Sequence, residues 1–548
     1  MADDSRHASG ARPEHVDVLI IGAGASGSVA AKRLGEEGLK VVCLEQGDWP
    51  DYDKARADKP DFELLKGRDW NWNPITRKWP GDYPIDESES DITALMFNGV
   101  GGGSVMYAAH WQRSMPSDFR VRTLDGVGDD WPLTYHDLKP FYERVETDMG
   151  VSGLDGDTAF PPGPGWPLPP SPLGVAGKKV AAAHNKLGWH WWPGPNAIAT
   201  RATKHLKACA RRGTCLWGCN ERAKGTFDLT HWPDAIEAGV DLRTGSRVRK
   251  LLAGDDGRIL GAEYVDRAGH AFLQTADVTL LCANGVGTPR LLLASATDRY
   301  PDGLANSSGL VGKRLMMHPF STVVGLFDED LKSWEGPWGQ SIHSLEFYET
   351  DARRGFVRGA KWGLQPSGGP VSMTQAYPFG ANNPVWGPSF HENIRKRLGR
   401  SAMWGIIAED LPDENNRVVL HPELKDADGV PAPKLYYKAD ENSERLVAFH
   451  QARAVESFEE AGAYDVIVAP FIRQTGWHLL GTAKMGDDPG TAVVDGYGRS
   501  FDHPNLFILD GSVFPTSTGM NPTATIAALA LRNTEHLIAG RRNQEVAR

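Results

Sequence analysis

The chain has 548 residues, too many for one ordinary domain, and its 41% apolar and 24% charged composition excludes a disordered polypeptide. A formal net charge of −11 argues against nucleic acid as a partner, and a solvated surface is its commonest meaning. No window nears the roughly 20 apolar residues of a membrane span, residues 1–14 lack the apolar core of an export signal, and five cysteines make no disulfide scaffold, so a cytoplasmic location is expected.

Val16–Ile21 reads as a buried strand. Gly22, Gly24 and Gly27 follow as G-x-G-x-x-G, and small residues, Ala25 and Ser26 among them, open a helix through Leu34. Lys40–Leu44 is a second strand, ending at Glu45. The glycines suit a tight turn that brings backbone amides to a pyrophosphate, and Glu45 stands where a carboxylate meets a ribose hydroxyl. The unit predicts dinucleotide binding without separating FAD from NAD. Trp49–Pro84, with Trp70, Trp72 and Trp79, predicts an irregular excursion over the nucleotide. A second glycine-rich turn follows within Asn98–Gln112, at Gly99, Gly101, Gly102 and Gly103, and two such turns favour FAD.

Trp131–Glu146 predicts a helix with Thr134 as N-cap, and Phe160–Gly174, with seven prolines, a loop. A helix over Val175–Leu187 leads to Trp189, Trp191 and Trp192, which suit core packing or, more sharply, a sugar-stacking surface. Cys209, Cys215 and Cys219, spaced C-x5-C-x3-C, admit an iron–sulfur cluster, but a buried group of reduced thiols, or a single opportunistic disulfide, is the reading preferred, and no metal site is assigned. A β meander is expected over Ser246–Leu252, Arg258–Asp266 and a strand ending at Ala283, then a helix starting at Thr288-Pro289. Short strands at Thr322–Phe327, Met403–Ile407, Arg417–Leu420 and Lys434–Tyr437, with a helix over Asn442–Ala461 capped by Ser443, predict an antiparallel substrate domain. Phe507–Asp510 is a last strand, and Pro522-Thr523 opens a helix over Ala524–Ile538, a further anion or flavin site.

In this order the motifs IGAGASG, NGVGGGSV, ANGVGTPRLLLAS, GLVGKRLMMHP, HLLGT and DGSVFPTSTGMNPTATIAALA resemble the glucose–methanol–choline (GMC) oxidoreductases from Val16 to about Ile538. The resemblance implies an α/β fold (α+β overall): a discontinuous Rossmann-like FAD domain at 14–155, 205–320 and 476–548, and a substrate domain on an antiparallel sheet at 156–204 and 321–475. It implies oxidation of an alcohol to a carbonyl, with His478 as catalytic base and Asn521 as its partner. Cofactor contacts carried over are Gly22, Gly24, Ala25, Ser26, Gly27, Glu45, Gly101, Gly102, Ser104, Val248, Ala283, Asp510, Gly511, Asn521, Pro522 and Thr523.

Val105-Met106-Tyr107 stand where some members carry a flavin-linking His, with His110 a few residues on, so noncovalent FAD is expected. The region Cys215–Pro233 and the C-terminal motif are similar to the bacterial sugar dehydrogenase branch. The first expectation is a self-contained oxidase or dehydrogenase of a sugar, glycoside or polyol, using oxygen or another electron acceptor. Alternatives are an aminoglycoside-type alcohol dehydrogenase, a cluster-bearing subunit that passes electrons to a partner, and a non-redox FAD lyase. A small subunit or a homo-oligomer fits the branch; no membrane partner is expected.

Overall fold

Strands covered on both faces must be apolar on both faces, and Val16–Ile21 and Val41–Leu44 are almost wholly buried and pair in parallel, with Val18 opposite Val41. The computed structural model describes residues 14–54, 62–65, 70–216, 218–366, 369, 387–469 and 471–542. The strand Ala271–Leu281 changes partner along its length. Its exposed first half runs antiparallel to Ile259–Val265, and its buried second half runs parallel to Val16–Ile21. Leu506–Ile508 pairs in parallel with that buried half, and Asp241–Arg243 extends the other edge beside Val41–Leu44. Arg247–Ala253 completes this seven-stranded sheet. The first helix, Ala25–Glu36, packs on the last, Thr523–Arg542, where Arg33 Nε donates to Glu535 Oε1 at 2.8 Å.

A second, six-stranded sheet is antiparallel throughout, in the order Asp465–Val468, Phe320–Leu326, Ser401–Ala408, Ala360–Pro366, Ile342–Ser344, Trp192–Pro193. The helix Glu441–Glu460 covers one face. Side chains alternate across a strand, and on Ala360–Pro366 the alternation divides two environments. Trp362 and Leu364 join the apolar cluster under the helix, whereas Lys361 and Gln365 face the other way and reach His110. The architecture is thus the expected mixed one, a Rossmann-like parallel sheet joined to an antiparallel one.

Four local expectations are corrected. Arg417–Lys425 and Pro431–Tyr437 do not join the second sheet; they form a third with Asp86–Ser90, whose sequence DESES is too polar to read as a strand. The helix expected from Thr288 begins at Asn284, leaving Pro289 inside it. Proline lacks the N–H that would bond the carbonyl four residues back, and that carbonyl, on Gly285, accepts Thr482 Oγ1 at 2.8 Å instead. The helix Glu441–Glu460 is capped not by Ser443 but by Asp440, whose Oδ1 accepts the Ser443 N–H at 2.7 Å. The strand expected at Phe507–Asp510 is Leu506–Ile508, because Asp510 turns its carboxylate back onto the Ser512 N–H. Elsewhere Thr134 caps Tyr135–Met149 through a capping box with Asp137, and the proline-rich stretch carries no helix or strand before Gly174. Trp189 and Trp191, partly buried, pack against the cluster under the second sheet, and Trp192 bonds the Leu154 carbonyl.

Candidate active site

At the ends of the parallel strands of the first sheet, where Ile21, Leu44 and Cys282 line it, runs a cavity of about 270 Å³. One part of its wall is built of backbone. Gly22 has φ of +103°, and a Cβ there would lie 2.4 Å from the Cys282 carbonyl oxygen. Gly102, at φ +55°, would place a Cβ 2.8 Å from the Cα of Gly24. The two glycine-rich turns therefore meet back to back, which only residues without side chains allow. Glu45 is buried at the strand end and lines the cavity; its Oε2 accepts the Ala23 N–H at 2.8 Å and its Oε1 the Gly47 N–H at 2.9 Å. Burial pushes its carboxyl up, and these amides pull it back. Asn521, Pro522 and Thr523 put the N-terminus of the last helix on the wall, the end that favours negative charge. Asp510 ties the neighbouring turn together, accepting Thr288 Oγ1 at 2.6 Å and the Asn284 and Ser512 N–H groups.

Of the residues singled out from sequence, Gly22, Gly24, Ala25, Ser26, Glu45, Gly102, Ser104, Val248, Ala283, His478, Asp510, Gly511, Asn521, Pro522 and Thr523 all line this cavity. Gly27 and Gly101 stand behind it. A Cβ on Gly27 would meet the Gly22 carbonyl oxygen at 2.0 Å, so this glycine serves close packing of helix on turn, and Gly101 is pressed on Asp228. Of the excursion's tryptophans, Trp72 lines the cavity, edge-on to Trp477 at 5.6 Å, while Trp70 packs against Trp79 and Phe97.

The other part of the wall is built of side chains. His478 Nδ1 lies 2.7 Å from His318 Nδ1, and His318 Nε2 lies 2.6 Å from the Thr518 carbonyl oxygen. A carbonyl only accepts, so the His318 proton is on Nε2 and its Nδ1 is a bare acceptor. His478 must then donate from Nδ1, which leaves its Nε2 lone pair free, 3.4 Å from Asn521 Nδ2. Burial holds His318 neutral, its pKa down to about 4, and burial together with the neighbouring His318 drives His478 well below the ordinary range. His318 and Thr518 both have positive φ, 56° and 60°, a backbone conformation that costs residues with a Cβ and persists where the surroundings enforce it. Sequence reasoning quoted the motif ending at His318-Pro319 but assigned that histidine no role. It also missed Lys361, Gln340 and Gln365, which stand behind Asn521 and His110.

Two clusters lie apart from the cavity wall. Asp157 accepts from His190 Nε2 and His343 Nε2, both at 2.9 Å, a spacing that would suit a metal ion. However, His190 Nδ1 accepts the Leu345 N–H, which puts its proton on Nε2 and takes away the lone pair a metal needs. Cys209, Cys215 and Cys219 are free thiols, and each sulfur accepts one backbone N–H at 3.4 Å, from Arg211, Trp338 and Ala223 respectively. Buried Lys224 donates to the Cys215 carbonyl at 2.5 Å and to the Val105 carbonyl at 2.8 Å, so it joins the cysteine loop to the second glycine-rich turn.

Residues 16–320 and 412–530 match the N- and C-terminal family models described as GMC oxidoreductase. The chain is 37% identical over 530 residues to 2-methyl-1,2-propanediol dehydrogenase of Mycolicibacterium austroafricanum, covering 96% of this chain and 95% of that protein. It is 29% identical over 541 residues to the fructose dehydrogenase large subunit of Gluconobacter japonicus, covering 95% and 97%. Among solved structures, pyridoxine 4-oxidase from Mesorbium loti aligns with a TM-score of 0.65 over 96% of this chain and 99% of that one, at 21% identity, a likeness of fold.

Proposed function

Because the chain belongs to the GMC oxidoreductase family, acting on CH–OH groups, we propose that it oxidises a hydroxyl of a small diol, polyol or sugar to a carbonyl, with noncovalent FAD as cofactor and His478 as base. The observation that carries this reading is the bare Nε2 of His478 beside Asn521, on the wall of the same cavity as a glycine cradle. The cradle suits FAD: two turns without side chains, a buried carboxylate at a strand end and a helix N-terminus. Held there, FAD would supply the acceptor for the hydride of the carbinol carbon.

The chain's residues handle the proton. His478 Nε2 takes it from the hydroxyl, and the resulting cation keeps its Nδ1–H on His318 Nδ1, whose own proton rests on the Thr518 carbonyl. Asn521, which cannot act as a base, donates to the oxygen as its charge develops. Noncovalent attachment is supported at His110, whose two ring nitrogens are engaged by Lys361 and Gln365. The diol dehydrogenase relative supports a compact neutral substrate. We assign substrate binding to the segments 156–204 and 321–475 and the cofactor to the rest.

The test is an anaerobic absorbance titration of the purified flavoprotein with 1,2-diols, polyols, sugars and aminoglycosides. Bleaching by one class is expected and names it. A flavin that no alcohol bleaches would overturn the reading and favour a lyase. Acid precipitation should release the yellow colour into the supernatant.

The cysteines support a second reading of where the electrons go. Three sulfurs that each accept a backbone N–H, beside a buried lysine, are a donor set that suits an iron–sulfur cluster handing electrons to a partner. A relative named as a large subunit points the same way. Stoichiometric iron and acid-labile sulfide in anaerobically purified protein would establish it; their absence would leave an electron acceptor at the flavin.

A further inference from the structure

Lys361 lies on the strand Ala360–Pro366, fully buried, with no carboxylate among its hydrogen-bond partners in the described residues. Its Nζ stands 2.9 Å from Asn521 Oδ1, 3.0 Å from Gln340 Oε1 and 3.0 Å from His110 Nδ1. A buried charge without a counter-charge is costly, so burial drives Lys361 far below the usual lysine range, and burial moves His110 the same way. With both groups neutral, every side-chain nitrogen of Lys361 and His110 has a partner, and only the Gln365 Oε1 beside them is left without one. Two Nζ–H bonds go to the two amide oxygens, the Nζ lone pair accepts His110 Nδ1–H, and His110 Nε2 accepts from Gln365 Nε2 at 3.2 Å.

The two ends of an asparagine amide are chemical opposites. Turned one way, Asn521 offers N–H donors to an oxygen that is gaining charge; turned the other, it offers an oxygen that repels it. The contact with His478 does not choose firmly, because 3.4 Å is a long hydrogen bond. The contact with Lys361 does choose, since an amine that already accepts from His110 has only N–H left to offer.

We propose that Lys361 is the positioning residue of this site: by donating to Asn521 Oδ1 it aims the amide N–H2 group at the substrate oxygen whose proton His478 removes. Lys361 does not itself line the cavity. The inference rests on the reading above that Asn521 donates to that oxygen.

The test is a double-mutant cycle with Lys361→Met, which keeps the length and removes the donor, and Asn521→Ala. Lys361→Met is expected to lower kcat by about 10- to 100-fold with KM within about threefold, since only an interaction that strengthens in the transition state is lost. In the Asn521→Ala background the same change should cost less than about threefold, because no amide remains to be aimed. Lys361→Gln, which restores N–H donors on a shorter arm, should recover part of the loss and serves in the cycle if the Met variant does not fold. An equal loss in both backgrounds would make Lys361 an independent structural residue and overturn the proposal, as would wild-type kcat in Lys361→Met. Wild-type kcat in Asn521→Ala alone would instead remove the reading of Asn521 on which the proposal stands.

Discussion

The two parts of the cavity wall are built on different plans. The cradle part is backbone: glycines pressed on one another, amides aimed at a carboxylate, and a helix N-terminus. The His478 part is side chains brought from distant segments, 110, 361, 521, 478 and 318, each fixed by a hydrogen bond to the next. A backbone cradle fails when atoms are added, because nothing can move aside. A side-chain network fails when atoms are taken away, because its proton positions are set by relay.

The largest effect should come from His478→Ala. Flavin reduction is expected to fall by about 10²- to 10⁴-fold while FAD stays bound, since the cradle is untouched; stopped-flow reduction and the flavin spectrum check both halves. Near-normal reduction would remove His478 as the base. Gly102→Val tests the cradle. With φ of +55° and the Gly24 Cα at 2.8 Å from any Cβ, it should strip FAD from the protein and lower stability by about 1–3 kcal/mol. A flavin-replete, normally stable variant would deny that the turns meet as described. His318→Ala frees His478 to take either tautomer, and about a tenfold loss of kcat with unchanged FAD content is expected. In pH profiles, His478 must be neutral to accept a proton, and its pKa is lowered by burial and His318. The acid limb of kcat/KM should therefore lie below about pH 6.5, the ordinary histidine value, with activity lost as pH falls through it. A limb above that value would contradict the burial. The smallest effect is Thr482→Val, which leaves the Gly285 carbonyl without its partner. A melting shift equivalent to about 1 kcal/mol, with kinetics unchanged, is the expected outcome.

The same contrast explains what the sequence made legible. The cradle is written in short contiguous spacings, because backbone geometry is local: G-x-G-x-x-G after a strand, Glu45 at the next strand end, four glycines near 100. Even so, spacing did not tell the glycines that line the cavity from Gly27 and Gly101, which pack behind it. His478 and Asn521 were reached through their flanking motifs. Lys361 was not, since a lysine in an apolar strand carries no local mark of the acceptors waiting in other segments. Asp86–Ser90 was missed for a related reason. Its strand character comes from pairing with Pro431–Tyr437, far along the chain, and not from its own composition. Pro289 misled because proline at a helix start is the usual case, and the hydroxyl that makes an internal proline tolerable belongs to Thr482.

The strand Ala271–Leu281 serves two sheets' worth of partners, and this has a bearing on how the molecule comes to exist. Its first half can pair with Ile259–Val265 as soon as both have been made. Its second half can pair on one edge with Val16–Ile21, but its other edge waits for Leu506–Ile508, and the first helix waits for Glu535, 502 residues after Arg33. The nucleotide-binding sheet, although it begins at Val16, is among the last parts to be finished. A nascent chain must hold a half-built apolar sheet through most of its synthesis, so maturation is late and cooperative, and truncation near the C-terminus should destroy the N-terminal unit.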